Sequence, residues 1–134
     1  MSDAGRFLEG LRRQRAKYAE MAAVAADQRR ALETSDMDGL LGIVERKRVL
    51  LADIAAIDRD VAPVRAGWDT LKASVDAATA RDIEREVSAI RELLRDLVRQ
   101  EDEGRAALER RRETAAVDLK SLLAKAKARG AYGR

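Results

Sequence analysis

Apolar residues return every three or four positions along most of the chain, and only a few polar knots break the rhythm. From Phe7 to Leu32 the repeat is helical. Leu11, Tyr18, Ala25 and Leu32 recur every seven residues, with Phe7 and Met21 on the same face. Gln14 and Gln28 fall on that seam and weaken it. The run Thr34-Ser35-Asp36 then offers side chains that satisfy the free N–H groups of a new helix better than they continue an old one. Ser35, followed three residues later by Asp38, resembles a capping box, and Asp36 and Asp38 suit the positive end of the next helix dipole. A tight helix–helix turn near residue 35 is the expectation.

Beyond it, Leu40, Ile43, Lys47, Leu50, Ile54, Ile57, Val61, Val64 and Trp68 follow alternating steps of three and four, the a/d pattern of a coiled-coil stripe. Lys47 is the exception within the stripe; its stem can lie on the seam while its ammonium reaches outward. Pro63 removes one N–H and presses on the preceding turn, and Gly67 follows, so a kink or break is expected there. Leu71, Val75 and Ala78 keep the rhythm as a short helix or loop over 66–79. Thr79-Ala-Arg-Asp82 looks like a second capping box before a third long helix through Ile83, Val87, Ile90, Leu94 and Leu97. The middle of that helix, RQEDEGRAALERRRE, is mostly charged, with Glu101 and Gly104 at positions where apolar residues are expected. The stripe resumes, offset, at Ala115, Leu119, Leu122 and Ala126. A helix of about 45 residues spans about 70 Å, too long for the first helix to cover throughout.

The pattern therefore predicts an all-α chain: an elongated antiparallel helical bundle or coiled coil of three long helices, at about 4–33, 36–65 and 80–128. Residues 1–128 form a single helical domain, and 129–134 form a flexible basic tail with two glycines. Composition agrees, with 46% apolar, 38% charged and only 3% aromatic residues, one proline, and no linker or repeat. Nothing approaches a membrane span, and the opening MSDAGRFLEG has no signal-peptide core, so a soluble cytoplasmic protein without membrane insertion is expected.

Charge changes the picture at one end only. All acidic residues lie at or before Asp118, so residues 1–118 carry 22 cations against 24 acids, net −2. Lys120, Lys125, Lys127, Arg129 and Arg134 follow without a counter-charge. A nucleic-acid binder more often spreads cations along a face, and one aromatic beside five cations argues against that class.

Candidate chemistry is sparse. Without Cys or His the chain lacks thiolate and imidazole metal ligands, the cysteine nucleophile and the commonest general base. The acidic run Glu101-Asp102-Glu103 points to different sides of a helix and cannot converge on one metal, and no phosphate-binding glycine motif occurs. Neither an enzyme nor a cofactor is expected. Gly39 and Gly42 fit the first turns of the second helix or a close approach of the first. Trp68 fits either a plug at the bundle end or a partner anchor. Partner contact is better sought on Ala115, Leu119, Leu122 and Leu123, which suit either a groove for another helix or packing within the bundle or a homodimer. Tyr132, glycine-flanked in the basic tail, suits a short docking element or an inert terminus.

The Asp-containing turn, the segment DMDGLLGIVERKRVLLADIAAIDRDV, the long AIRELLRDLVRQEDEGRAALERRRETAAVDLKSLL and the closing AY beside basic residues resemble the small flagellar type III export chaperones of the FlgN/FliT type, over residues 15–134. The resemblance implies a cytoplasmic chaperone that binds the amphipathic terminal segment of a filament-cap or hook–filament junction protein before export. It also implies that Tyr132 docks on the export gate, with export ATPase components as further partners. The charged 98–107 stretch, Pro63 and the alanine-rich first helix depart from the family pattern and leave the client open. A chaperone of this kind is a monomer or weak homodimer with a free groove. The competing class, a coiled-coil scaffold or ATPase-stalk-like tether, predicts a dilution-resistant homodimer burying the 40–68 seam.

Overall fold

The structure is a computed structural model that describes residues 2–132, with side chains described for 2–128. Among them there is no strand. Helix α1 is Asp3–Glu33, α2 is Met37–Ala66, α3 is the short Trp68–Leu71, a 3₁₀ turn covers Lys72–Ser74, and α4 is Ala77–Tyr132. The 66–79 segment thus holds the end of α2, α3, the 3₁₀ turn and the first residues of α4. The chain falls into two compact units, Met1–Arg99 and Gln100–Arg134. Helix α4 contributes residues to each.

Local chemistry explains the turns in the first unit. The Ser2 hydroxyl accepts from the Gly5 N–H at 3.1 Å and starts α1. At its far end Ser35 adopts φ 54°, its N–H donates to the Leu32 carbonyl and the Asp36 N–H donates to the Ala31 carbonyl. These two bonds form a Schellman motif with serine where glycine is usual. The residue that caps α2 is Asp36, one position after the expected Ser35, its carboxylate accepting from the Gly39 N–H at 2.9 Å. A Cβ at Gly39 would crowd the capping Asp36 carboxylate, and no residue of α1 lies against that position. A similar shift occurs at α4, where Asp76 accepts from the Thr79 N–H at 3.0 Å and the helix begins at Ala77, before the Thr79 start read from sequence. Helix α2 continues through Pro63 and stops at Gly67.

Helices α1 and α2 form an antiparallel hairpin whose cross-contacts run in opposite senses: Gln14 with Asp58, Lys17 with Asp53, Asp27 with Arg46 and Gln28 with Lys47. The polar residues that interrupt the two seams therefore pair. The Gln28 side chain accepts from the Lys47 ammonium at 3.1 Å, and the Gln14 amide donates to the Asp58 carboxylate at 3.4 Å. The two helices approach closely at Gly10, where a Cβ would overlap the buried Val61.

Two apolar clusters hold this unit. In one, Phe7, Leu11, Ile57, Val61, Ile83 and Ile90 join α1, α2 and the start of α4. Trp68 packs against it, its ring 5.5 Å from that of Phe7 and tilted by 57°, which fits the plug reading. Glu86 is buried beside the Arg12 and Arg15 guanidinium groups, at 4.0 and 3.3 Å. The other cluster, around Val24, Ala31, Ile43 and Leu50, contains α1 and α2 alone. There the buried residues of α1 are Val24 and Ala31, not the Ala25 and Leu32 of the heptad reading, because that half of α1 turns its face wholly to α2.

Candidate partner-binding surface

In the second unit, α4 carries residues 100–132. Leu108, Ala115, Leu119, Leu122 and Ala126 recur at three-, four- and seven-residue steps and so share one helical face. Leu123 borders it. All are exposed: Leu119, Leu122 and Leu123 keep 58, 63 and 62% of their surface open, and Leu108 keeps 41%. Ala115 is likewise exposed. Three of the five sequence-derived candidates, Ala115, Leu119 and Leu122, therefore share one open apolar strip, with Leu123 at its edge. Helix α4 runs on to Tyr132, into the tail expected over 129–134, whose side chains, that of Tyr132 included, lie outside the described residues.

The strip is bordered by charge. Lys120 and Lys127 lie on the Leu123 side, while Asp118 and Lys125 lie on the other, as their steps from Leu119 and Leu122 require. A complementary segment is an amphipathic helix with leucine-sized residues at i, i+3, i+4 and i+7 and acidic flanks. Val117, 66% exposed, is off the strip and escaped the periodic reading for that reason.

The first unit has a further open apolar face that the sequence reading passed over. Met37, Leu41, Val44 and Leu51 on α2 are 66, 67, 64 and 55% exposed. They belong to a second three-and-four phase, 37/41/44/48/51/55, beside the buried seam; the signal was present but the stronger seam hid it. On another side of the hairpin a groove of about 400 Å³ runs between α1 and α2, floored by Val24, Val49 and Leu50 and rimmed by Lys17, Glu20 and Asp53.

Titrating groups in the first unit serve the fold. The Arg65 guanidinium, 2.6 Å from Asp58, holds that carboxyl below its ordinary value, with the Gln14 amide adding to the effect. Partial burial, then the Asp58 charge, pushes the Tyr18 phenol up. Among the described residues no cluster of three or more acidic groups could hold a metal, and no helix is long and apolar enough to cross a membrane.

Comparison with protein families decides the identity. A match to the FlgN protein family extends over residues 1–134. The chain belongs to the FlgN family. No curated protein and no solved structure matches it. FlgN proteins are flagellar export chaperones, which bind export clients. An all-α chain with an open leucine strip on its last helix is suited to that work, since a chaperone needs exposed apolar surface rather than a reaction centre.

Proposed function

We propose that this FlgN chain is a cytoplasmic chaperone that receives the amphipathic helical segment of a flagellar filament-cap or hook–filament junction protein on Ala115, Leu119, Leu122 and Leu123, and delivers it to the type III export apparatus. The observation that carries the reading is the exposure of those leucines at 58–63% on one face of α4. Contiguous apolar surface of this kind is expensive to leave in water and fits a helix-in-groove or helix-on-helix partner. The cations after Asp118 favour a client segment with acidic flanks. Tyr132 docks the loaded chaperone on the export gate, with export ATPase components as further partners. The rival tether requires the 40–68 seam as its interface, yet Ile43, Leu50, Ile54, Ile57 and Val61 of that seam are buried inside the chain.

Pull-down from the native cytoplasm and membranes tests both assignments. Leu119→Asp/Leu122→Asp should lose the client, whereas Tyr132→Ala should keep the client and lose the membrane-bound export machinery. Recovery of the same proteins by both variants and the parent chain rejects the site.

A further inference from the structure

Charge and apolar surface coincide on one stretch of α4. Residues 105–134 carry nine cations against three acids, net +6, while residues 1–104 carry 18 against 21, net −3. A division this sharp gives the chain one end that attracts an anionic partner. Within that end the apolar strip from Ala115 to Ala126 runs about 17 Å along the helix, and its leucines are exposed. Arg112 stands on the same face one turn before Ala115. Lys120 and Lys127 line one margin, and Lys125 shares the other with Asp118. Lysines at both margins of an apolar strip can lay their stems beside the leucines and hold their ammonium groups in a layer of headgroups. No acid follows Asp118 in the sequence to oppose a negative surface. A nucleic acid would use the cations but leave three leucines in water, and the strip has no aromatic to stack on a base.

We propose that in the client-free chaperone this strip lies on an anionic lipid surface, its leucines at the acyl boundary and its lysines at the headgroup phosphates. An amphipathic helix with cations beside its apolar face binds an interface in this way without crossing it. Among the described residues no helix is long and apolar enough to cross. The inference deepens the client reading and rests on it for one step. A client helix covers the same leucines, so lipid and client exclude each other, and loading frees the chaperone from the membrane. Three leucines give a modest apolar hold, and electrostatics supplies much of the rest. Each Lys or Arg near an anionic surface is worth about five-fold in partition, so three lysines contribute roughly 100-fold.

Co-sedimentation of the purified, client-free full chain with vesicles tests this. The chain should bind vesicles of equal parts phosphatidylglycerol and phosphatidylcholine at low ionic strength, release as salt rises, and ignore phosphatidylcholine alone. Lys120→Gln/Lys125→Gln/Lys127→Gln should weaken binding about 100-fold. Leu119→Ser/Leu122→Ser, which leaves the charge unchanged, should weaken it about ten-fold or more. Leu41→Ser/Leu51→Ser, on the open face of α2, should bind like the parent. The client-loaded complex from the pull-down should stay in the supernatant, and one that sediments as the free chain does rejects the exclusion. A parent chain that ignores anionic vesicles overturns the proposal, as does equal binding to both vesicle types or binding untouched by the leucine change. Tighter binding to polyuridylic RNA than to vesicles, again untouched by the leucine change, marks a nucleic-acid site instead. If vesicles fail while the pull-down still recovers a leucine-dependent client, the lipid inference alone falls. If vesicles bind and no such client is recovered, the client reading alone falls.

Discussion

Helix α4 puts one kind of sequence into two environments. Between Ala77 and Arg99 its stripe of Ile83, Ile90 and Leu97 is 0, 8 and 9% exposed, and Ile83 and Ile90 sit in one cluster with residues of α1 and α2. Between residues 100 and 128 a stripe of the same period, through Leu119 and Leu122, is about 60% exposed. The two stretches also differ in composition, since residues 101–114 are mostly charged and hold Leu108 as their one large apolar residue. In the first stretch helicity and burial support each other. In the second the helix stands on its backbone bonds and local side-chain pairs such as Arg105 with Asp102. Under the proposed function, that open stripe is the surface that receives the client.

The contrast can be broken most directly by truncation. Ile83→Ala should lower unfolding free energy by about 2–5 kcal/mol, as for other fully buried aliphatics, whereas Leu122→Ala should change it by less than about 0.5 kcal/mol. Equal losses in denaturant titrations would show the two stretches to be packed alike. Amide exchange should agree, with protection through 77–99 and rapid exchange through 105–128.

A smaller effect sharpens the packed side. Gly10→Ala places a methyl against buried Val61 and should cost about 1–3 kcal/mol, read from the thermal midpoint. The same change at Gly104, whose Cβ position is open, should instead stabilise the helix slightly. Asp36→Ala removes the α2 cap and should cost about 1 kcal/mol. Ser35→Gly relieves the left-handed conformation at the same turn and should raise stability by up to about 1 kcal/mol.

The smallest expected effect is on pH dependence. Asp58 has its folded value depressed, chiefly by Arg65. Its contribution is therefore full above the ordinary aspartate range and fades as pH falls below about 4. Because the pair is about half exposed, the gain is slight, and Asp58→Asn should flatten only part of the acid limb of stability against pH.

Much of this architecture was legible from periodicity. The α2 seam through Ile43, Leu50, Ile54, Ile57 and Val61 is buried as its a/d spacing requires. The turn at 34–36 lies where Thr-Ser-Asp announced it, although the cap moved from Ser35 to Asp36. That choice is settled by which side chain reaches the Gly39 N–H once Ser35 has taken φ 54°, a detail of backbone geometry that spacing does not encode. Gln14, Gln28 and Lys47 looked like faults in separate seams, and only the hairpin makes Gln28 and Lys47 partners, 19 residues apart. The candidate strip was readable as an apolar period, but its openness was not. The same period at 83–97 is buried.

Residue order alone determined that this chain is helical, where it turns, and which side of each helix is apolar, because those properties follow from interactions within a few positions. It also sufficed to suggest the FlgN family. Only the tertiary structure decided which apolar sides were used up inside the chain and which were left open. Covering a stripe depends on a second helix arriving from far along the sequence, and two stripes of equal period carry no local record of whether that helix comes.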